Sequence, residues 1–202
     1  MKFQTPAFIH RLFPELLWNV AVTDNIIYLT FDDGPHPVIT PKVLNILEQY
    51  DAKACFFCVG NNVQRYPKIF HLVKDAGHLI GNHSYHHING WRTPDDLYFE
   101  DVDKCNKLVR SHYFRPPYGK IRPSQMRYLK KHYQLVMWSV VTYDFDRETT
   151  GEECFQRSVN KTTRGSIVVF HDSEKAEKNM LYALPRFLEY FSEKGFRFET
   201  WE

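Results

Sequence analysis

The sequence predicts an α/β fold in which parallel strands, covered by helices, curl into a closed or nearly closed barrel within a single domain. Three observations carry this expectation. Short apolar runs alternate with helical segments along nearly the whole chain, and such alternation means parallel strands joined by crossovers. Seven strand-like runs can be counted, each but the last followed by a helix or a long loop. Finally, the residues able to do chemistry stand where those strands end, and barrels of this kind gather their sites at that end.

Composition supports one globular unit. The chain has 202 residues, 43% of them hydrophobic and 16% aromatic, enough for a substantial core. A net charge of +2 is too small to point to nucleic acid or an anionic membrane. No run approaches the roughly 18–20 apolar residues of a membrane span. Met1 to Val22 is interrupted by His10, Arg11, Pro14 and Glu15 and shows no small-residue cleavage site. Residues 1–25 therefore read as a lead-in packed on the body, and 26–202 as that body, a single domain. Cys55 and Cys58 fall within one strand and face opposite sides, which argues against a redox or zinc pair. With Cys105 and Cys154 they read as free core thiols, which fit a reducing, cytoplasmic compartment.

The elements follow in order. Strand 26–31 is a buried-type apolar run that Gly34-Pro35 ends, leaving Asp32 and Asp33 where strand meets loop. Neighbouring strand residues face opposite sides, but a strand end can turn so that both carboxylates enter one cleft. Carboxylates that close need a cation or an arginine to stay ionised. A helix near 41–50 follows, with Thr40 as N-cap and Pro41 in the first turn. Strand 54–59, a helix at 67–76 stopped by Gly77, and strand 79–82 lead to His83-Ser84-Tyr85-His86-His87. On one helical turn positions i and i+4 share a face, so His83 and His87 could grip one metal, with His83 and His86 as the alternative pair. Asp33 is the natural third ligand, since two histidines and a carboxylate leave positions open for water and substrate.

A helix at 95–111, capped by Thr93 with Pro94 in its first turn, precedes a short strand at 113–115. Arg115-Pro116-Pro117-Tyr118-Gly119 is a rigid loop whose prolines fix φ, and its arginine can orient a carboxylate. A helix at 123–131, strand 134–138 and a helix near 151–161 come next. Strand 166–170 then delivers His171, a general-acid candidate, to the same end. Helix 179–194 and strand 196–199 complete the chain. Histidines 10, 71, 78, 112 and 132 read as surface or helix-end residues. Trp91, Trp201 and Tyr143 are candidates for stacking on a sugar ring.

Four motifs in this order, Thr-Phe-Asp-Asp-Gly, His-Ser-x-x-His, Arg-Pro-Pro-Tyr and an apolar strand ending His-Asp, resemble the polysaccharide deacetylases of carbohydrate esterase family 4. The likeness runs from about residue 26 to 199. It implies a distorted seven-stranded β/α barrel and removal of N-acetyl groups from an amino-sugar glycan. The alternative is a deacylase of an O-acetylated glycan or of a small non-polymeric amide. It further implies that Asp33, His83 and His87 hold a divalent metal, zinc first, with cobalt or nickel as alternatives. Asp32 would take the proton of the attacking water, Arg115 would orient Asp32, and the Tyr118 backbone N–H would help stabilise the oxyanion. His171, tuned by Asp144, would protonate the leaving amine. Trp138, Phe145, Val169 and Pro117 would wall the substrate pocket.

One stretch departs from the family pattern. Where Asp-x-x-Asp-Trp is common, this chain has Val141-Thr142-Tyr143-Asp144-Phe145. Asp144 is kept, the first acid is lost, and Phe145 replaces the tryptophan, which bears on acyl and sugar preference. A carbohydrate substrate and a monomer are expected. Family habit favours the cell envelope or exterior, against the reading from the cysteines. A catalytically silent binding protein is disfavoured because base, ligands, arginine and acid are all present.

Overall fold

The computed structural model describes residues 11–202; residues 1–10, with His10 and the first part of the expected lead-in, lie outside the described residues. The strands are β1 (Ile26–Asp32), β2 (Ala54–Cys58), β3 (Leu79–Asn82), β4 (Tyr113–Phe114), β5 (Gln134–Leu135), β6 (Val140–Val141), β7 (Ile167–His171) and β8 (Arg197–Phe198). Every pairing between them is parallel. Seven form one continuous path, β5-β4-β3-β2-β1-β7-β6, and β8 pairs off this path with the start of β1. The expected seven-stranded curl is thus present with a different membership. Val140–Val141 is in the path, and the C-terminal strand hangs off it.

β1 sits at the centre and all seven of its residues are buried, as a strand covered on both faces requires. One face (Ile27, Leu29, Phe31) packs under helices α1 (Ile39–Gln49) and α7 (Glu177–Ser192), with Val43, Leu47 and Phe187 in the same cluster. The other face looks into the barrel, where Tyr28 meets Cys55, Phe57 and Val136. Further helices are α2 (Gly60–Arg65), α3 (Pro67–Asp75), α4 (Asp95–Val109), α5 (Pro123–Leu129) and α6 (Gly151–Val159). Among the described residues no helix is long and apolar enough to cross a membrane.

Between the β5 edge and the start of β7 the sheet is bridged from the N-terminal side. Leu17 pairs with Val136 and Asn19 with Ser166. Leu17 N–H donates to Leu135 O at 2.9 Å, and Val20 N–H donates to Gly165 O at 2.9 Å. Leu16 and Trp18 are buried beside this seam.

Cys55 and Cys58 lie in separate clusters on opposite faces of β2. All four cysteines are buried and free, and burial pushes the Cys55 and Cys58 thiols well up.

Several local expectations are corrected. Thr40 does not cap α1. It lies inside the helix, its hydroxyl donating to Asp172 Oδ2 at 2.5 Å, while His36 Nδ1 accepts from the Val38 and Ile39 N–H groups at 3.2 Å. Thr93 does not cap α4 either; its hydroxyl donates to Asn89 O at 2.9 Å and Pro94 takes the cap position. Gly77 does end α3, in the left-handed region at φ 76°.

His78 is buried rather than superficial. Its Nδ1 accepts the Ala54 N–H at 3.3 Å and its ring lies 5.2 Å from that of Phe56. Burial, aided by the Lys53 charge, lowers its pKa to about 4. Because the folded value lies below the ordinary 6.5, its contribution to stability is present above pH 6.5 and is lost as pH falls through about 4. In urea unfolding, wild type should lose roughly 1–2 kcal/mol more than His78→Gln between pH 7 and pH 5. Equal losses would remove His78 as the cause.

Candidate active site

The site forms at the C-terminal ends of β1, β3, β4 and β7. Asp32, the last residue of β1, points inward by alternation from Tyr28 and Thr30. Asp33 then adopts φ 81°, a left-handed conformation rare for a residue with a side chain. That turn brings its carboxylate back toward the one before it. Asn62 Nδ2 donates to Asp33 O at 2.8 Å and holds the turn. Gly34 must be glycine, because a Cβ there would meet the Asp172 carboxylate at 2.1 Å. That carboxylate accepts the Gly34 N–H at 3.0 Å.

Arg115 fills the barrel interior and is fully buried. Its guanidinium donates to Asp32 Oδ1 at 2.6 Å, Thr30 Oγ1 at 2.8 Å, Val136 O at 3.2 Å and Met137 O at 2.8 Å. It also lies 4.1 Å above the Phe57 ring. An arginine so enclosed is tolerable because its donors are met and its charge is paired. Asp32 is therefore held in one orientation, its other oxygen 3.9 Å from His83 Nε2.

The histidine pair is set on the loop that follows β3. Ser84 and His87 both have positive φ, 59° and 56°, which folds His87 back toward His83. The ring centroids stand 5.0 Å apart. His83 is buried, and its Nδ1 donates to Arg115 O at 2.8 Å. A carbonyl can only accept, so the proton sits on Nδ1 and the Nε2 lone pair faces the cleft. Burial, helped by the His87 and Arg115 charges, lowers the His83 pKa to about 4, which keeps the imidazole neutral. His87 Nε2 approaches Asp33 Oδ1 at 3.1 Å, and its Nδ1 faces Tyr118 Oη at 3.2 Å.

Asp33, His83 and His87 each offer one donor atom, all within 4.8 Å of one another. Burial alone would raise the Asp33 carboxyl, but the His87 hydrogen bond and the neighbouring imidazoles hold it well below the usual carboxylate range. One carboxylate oxygen and two imidazoles converging on one point fit a divalent cation. His86 is excluded from this group. It turns out toward solvent, and its Nδ1 pairs with Asp101 at 2.5 Å.

Across the cleft, Asp144 is fully buried and accepts twice from His171, from the N–H at 2.7 Å and from Nδ1 at 2.8 Å. Burial would push the His171 imidazole down. The charge and hydrogen bond of Asp144, with Asp33 and Asp32 farther off, bring it up to about 9. Asn179 Nδ2 donates to the carbonyls of Asp144, Asp146 and Thr149 at 3.1, 3.3 and 2.8 Å, pinning that loop to α7.

Phe145 is part-exposed with its ring edge-on to His171 at 4.8 Å, and Tyr143 lies 5.7 Å from Phe145. Trp138 packs on Gly119 and lies 5.8 Å from the Arg115 guanidinium carbon. Pro117 and Val169 are buried. Tyr118 has φ 61° in the turn after Arg115, with much of its ring exposed. Trp91 is exposed, whereas Trp201 packs on Tyr28 and Tyr113 beside the N-terminal ends of β4 and β5, away from this cleft. Asn62, Asp101 and Asn179 escaped the sequence reading. The one signal for Asp101 was a carboxylate on the inward face of α4, in step with Tyr98, Val102, Cys105 and Val109.

Comparisons with known proteins agree with this geometry. The chain is 35% identical over 190 residues to a peptidoglycan-N-acetylglucosamine deacetylase of Bacillus cereus, covering 91% of this chain and 89% of that one. It is 33% identical over 161 residues to a chitooligosaccharide deacetylase of Azorhizobium caulinodans, covering 76% of each. A crystal structure of a peptidoglycan N-acetylglucosamine deacetylase in complex with 4-naphthalen-1-yl-N-oxidanyl-benzamide superposes with a TM-score of 0.89 at 28% identity, covering 98% of this chain and 95% of that one. The family profile described as polysaccharide deacetylase matches residues 19–137. The chain belongs to the polysaccharide deacetylase family.

Proposed function

We propose that this enzyme removes N-acetyl groups from amino-sugar glycans of the chitooligosaccharide or peptidoglycan N-acetylglucosamine type, releasing acetate and a free amine. The observation that supports it most is the Asp33, His83 and His87 donor set lying between a carboxylate clamped by arginine and a histidine paired with a buried aspartate. Residues 26–202 form the catalytic domain, with 1–25 as its lead-in. Asp33, His83 and His87 hold the ion, proposed to be zinc because an oxygen and two imidazoles suit it; cobalt and nickel are the alternatives. When bound, such an ion supplies Lewis-acid polarisation of the acetyl carbonyl and acidifies the attacking water.

The chain's own residues do the rest. Asp32, held by Arg115, takes the proton of that water. The Tyr118 N–H meets the negative charge that develops on the carbonyl oxygen. His171 keeps a proton on Nδ1 against Asp144 and delivers one from Nε2 to the leaving nitrogen. Trp138, Phe145, Val169 and Pro117 shape the acetyl pocket.

The test is elemental analysis of purified protein, then acetate release from N-acetylglucosamine oligomers and from O-acetylated xylan, each with and without a chelator. About one divalent ion per chain and chelator-sensitive release from the oligomers is the expected result. Release only from xylan would change the substrate class. Bound metal with neither release would point to a small amide. No ion even after reconstitution would overturn the metal reading.

A further inference from the structure

We propose that Asp101 is a positioning residue for the metal centre, a clamp on the loop that carries both histidine ligands. The inference rests on the metal reading above. His83 and His87 stand at the two ends of a five-residue loop in which Ser84 and His87 hold left-handed conformations, φ 59° and 56°. A residue other than glycine is uncommon in that region and stays there only where its surroundings impose it. What imposes it here is a set of bonds to residues that touch no ligand.

The Ser84 and Tyr85 carbonyls accept the Gly60 and Asn61 N–H groups at 3.0 and 2.9 Å, and Asp101 makes four further bonds to the loop. Its Oδ2 accepts the Tyr85 N–H at 2.8 Å and the His86 N–H at 3.0 Å. Its Oδ1 pairs with His86 Nδ1 at 2.5 Å, and its backbone carbonyl lies 3.2 Å from the Tyr85 N–H. One nearly buried carboxylate thus grips the two residues between the ligands. Asn82 completes the hold on the near side, accepting the Ser84 N–H at 2.8 Å and donating to Val102 O at 2.9 Å. Both anchors reach α4, whose inward face is packed in the core, so the loop takes its shape from a rigid element. His86 is then explained as well: it is the third contact of the clamp and not a spare ligand. Loss of the carboxylate frees the His86 N–H and leaves the Tyr85 N–H only the Asp101 backbone carbonyl at 3.2 Å, so the separation of the two imidazoles is less firmly fixed.

The test is Co2+ binding to wild type, Asp101→Ala, Asp101→Asn and His86→Gln, by competition with a chromophoric chelator, with thermal unfolding of each metal-free protein alongside. Removing a residue that orients metal ligands weakens binding by about 10- to 100-fold, and Asp101→Ala should fall in that range. Asp101→Asn keeps an acceptor oxygen for the two backbone N–H groups and should recover part of the loss. His86→Gln, which gives up one contact of the clamp, should change affinity by less than about threefold on the same scale. The Co2+ visible spectrum of Asp101→Ala at saturation should also shift, since the ligand geometry relaxes. Should Asp101→Ala fail to fold, Asp101→Asn carries the comparison. Lower unfolding temperatures with unchanged affinity and spectrum would make Asp101 structural only and overturn the clamp. Wild type that binds no Co2+ would overturn the metal reading itself, and the clamp with it.

Discussion

His83→Ala is expected to leave a folded protein that holds no stoichiometric divalent ion and releases no measurable acetate. His83 is the buried member of the donor set, and its tautomer is fixed by the bond from Nδ1 to Arg115 O. The remaining donors, Asp33 and His87, both lie nearer solvent and leave an ion two protein ligands, too few for a catalytic site of this type. The substitution also leaves the Arg115 carbonyl without its donor and opens a small cavity, together costing roughly 1–3 kcal/mol. Circular dichroism and thermal unfolding should therefore accompany elemental analysis of the gel-filtered protein. Full metal content in a folded His83→Ala protein would remove His83 from the ligand set.

Asp32→Asn separates binding from turnover. The asparagine is nearly isosteric and keeps an oxygen for the Arg115 guanidinium, so the barrel and the ion should both persist. It has no useful basicity, however, and loss of a general base costs about 10²- to 10⁴-fold in rate. That corresponds to roughly 3–5 kcal/mol of transition-state stabilisation. The buried guanidinium loses its counter-charge, so the unfolding temperature should fall, since breaking a buried pair is costly even when a hydrogen bond survives. The expected signature is unchanged metal content, a near-normal KM and a collapsed kcat. Near-wild-type kcat would show that another group takes the proton.

Much of this site could be read from the chain because strand ends announce themselves. An apolar run closed by Gly34-Pro35 locates Asp32 and Asp33, and the run Ile167–Phe170 locates His171 in the same way. What the sequence could not convey is geometry imposed from a distance. The His83–His87 spacing shows that both imidazoles can share a face, but not that the loop between them is tied at the Ser84, Tyr85 and His86 N–H groups by Asn82 and Asp101. Thr40 and Thr93 carry local capping chemistry, but a longer-range bond to Asp172 and a backward bond to Asn89 claim their hydroxyls. Val140–Val141 is too short for any periodicity, and only its pairing with β7 makes it a strand. Trp201 looks like a sugar platform until its packing on Tyr28 and Tyr113 takes it to the far end of the barrel.

The seam bridged by Leu17 and Asn19 bears on how the chain is made. Its partners, Val136 and Ser166, belong to the late part of the sequence. During synthesis the earliest described residues must wait, unpaired, until β7 has emerged before they can close the curl. Contacts that span so much chain form late, since loop closure must precede their reward. Until then the β5 edge stands open, the kind of edge that invites another chain. Pulse-labelled hydrogen exchange during refolding should find the Leu17 and Val20 amides among the last to gain protection.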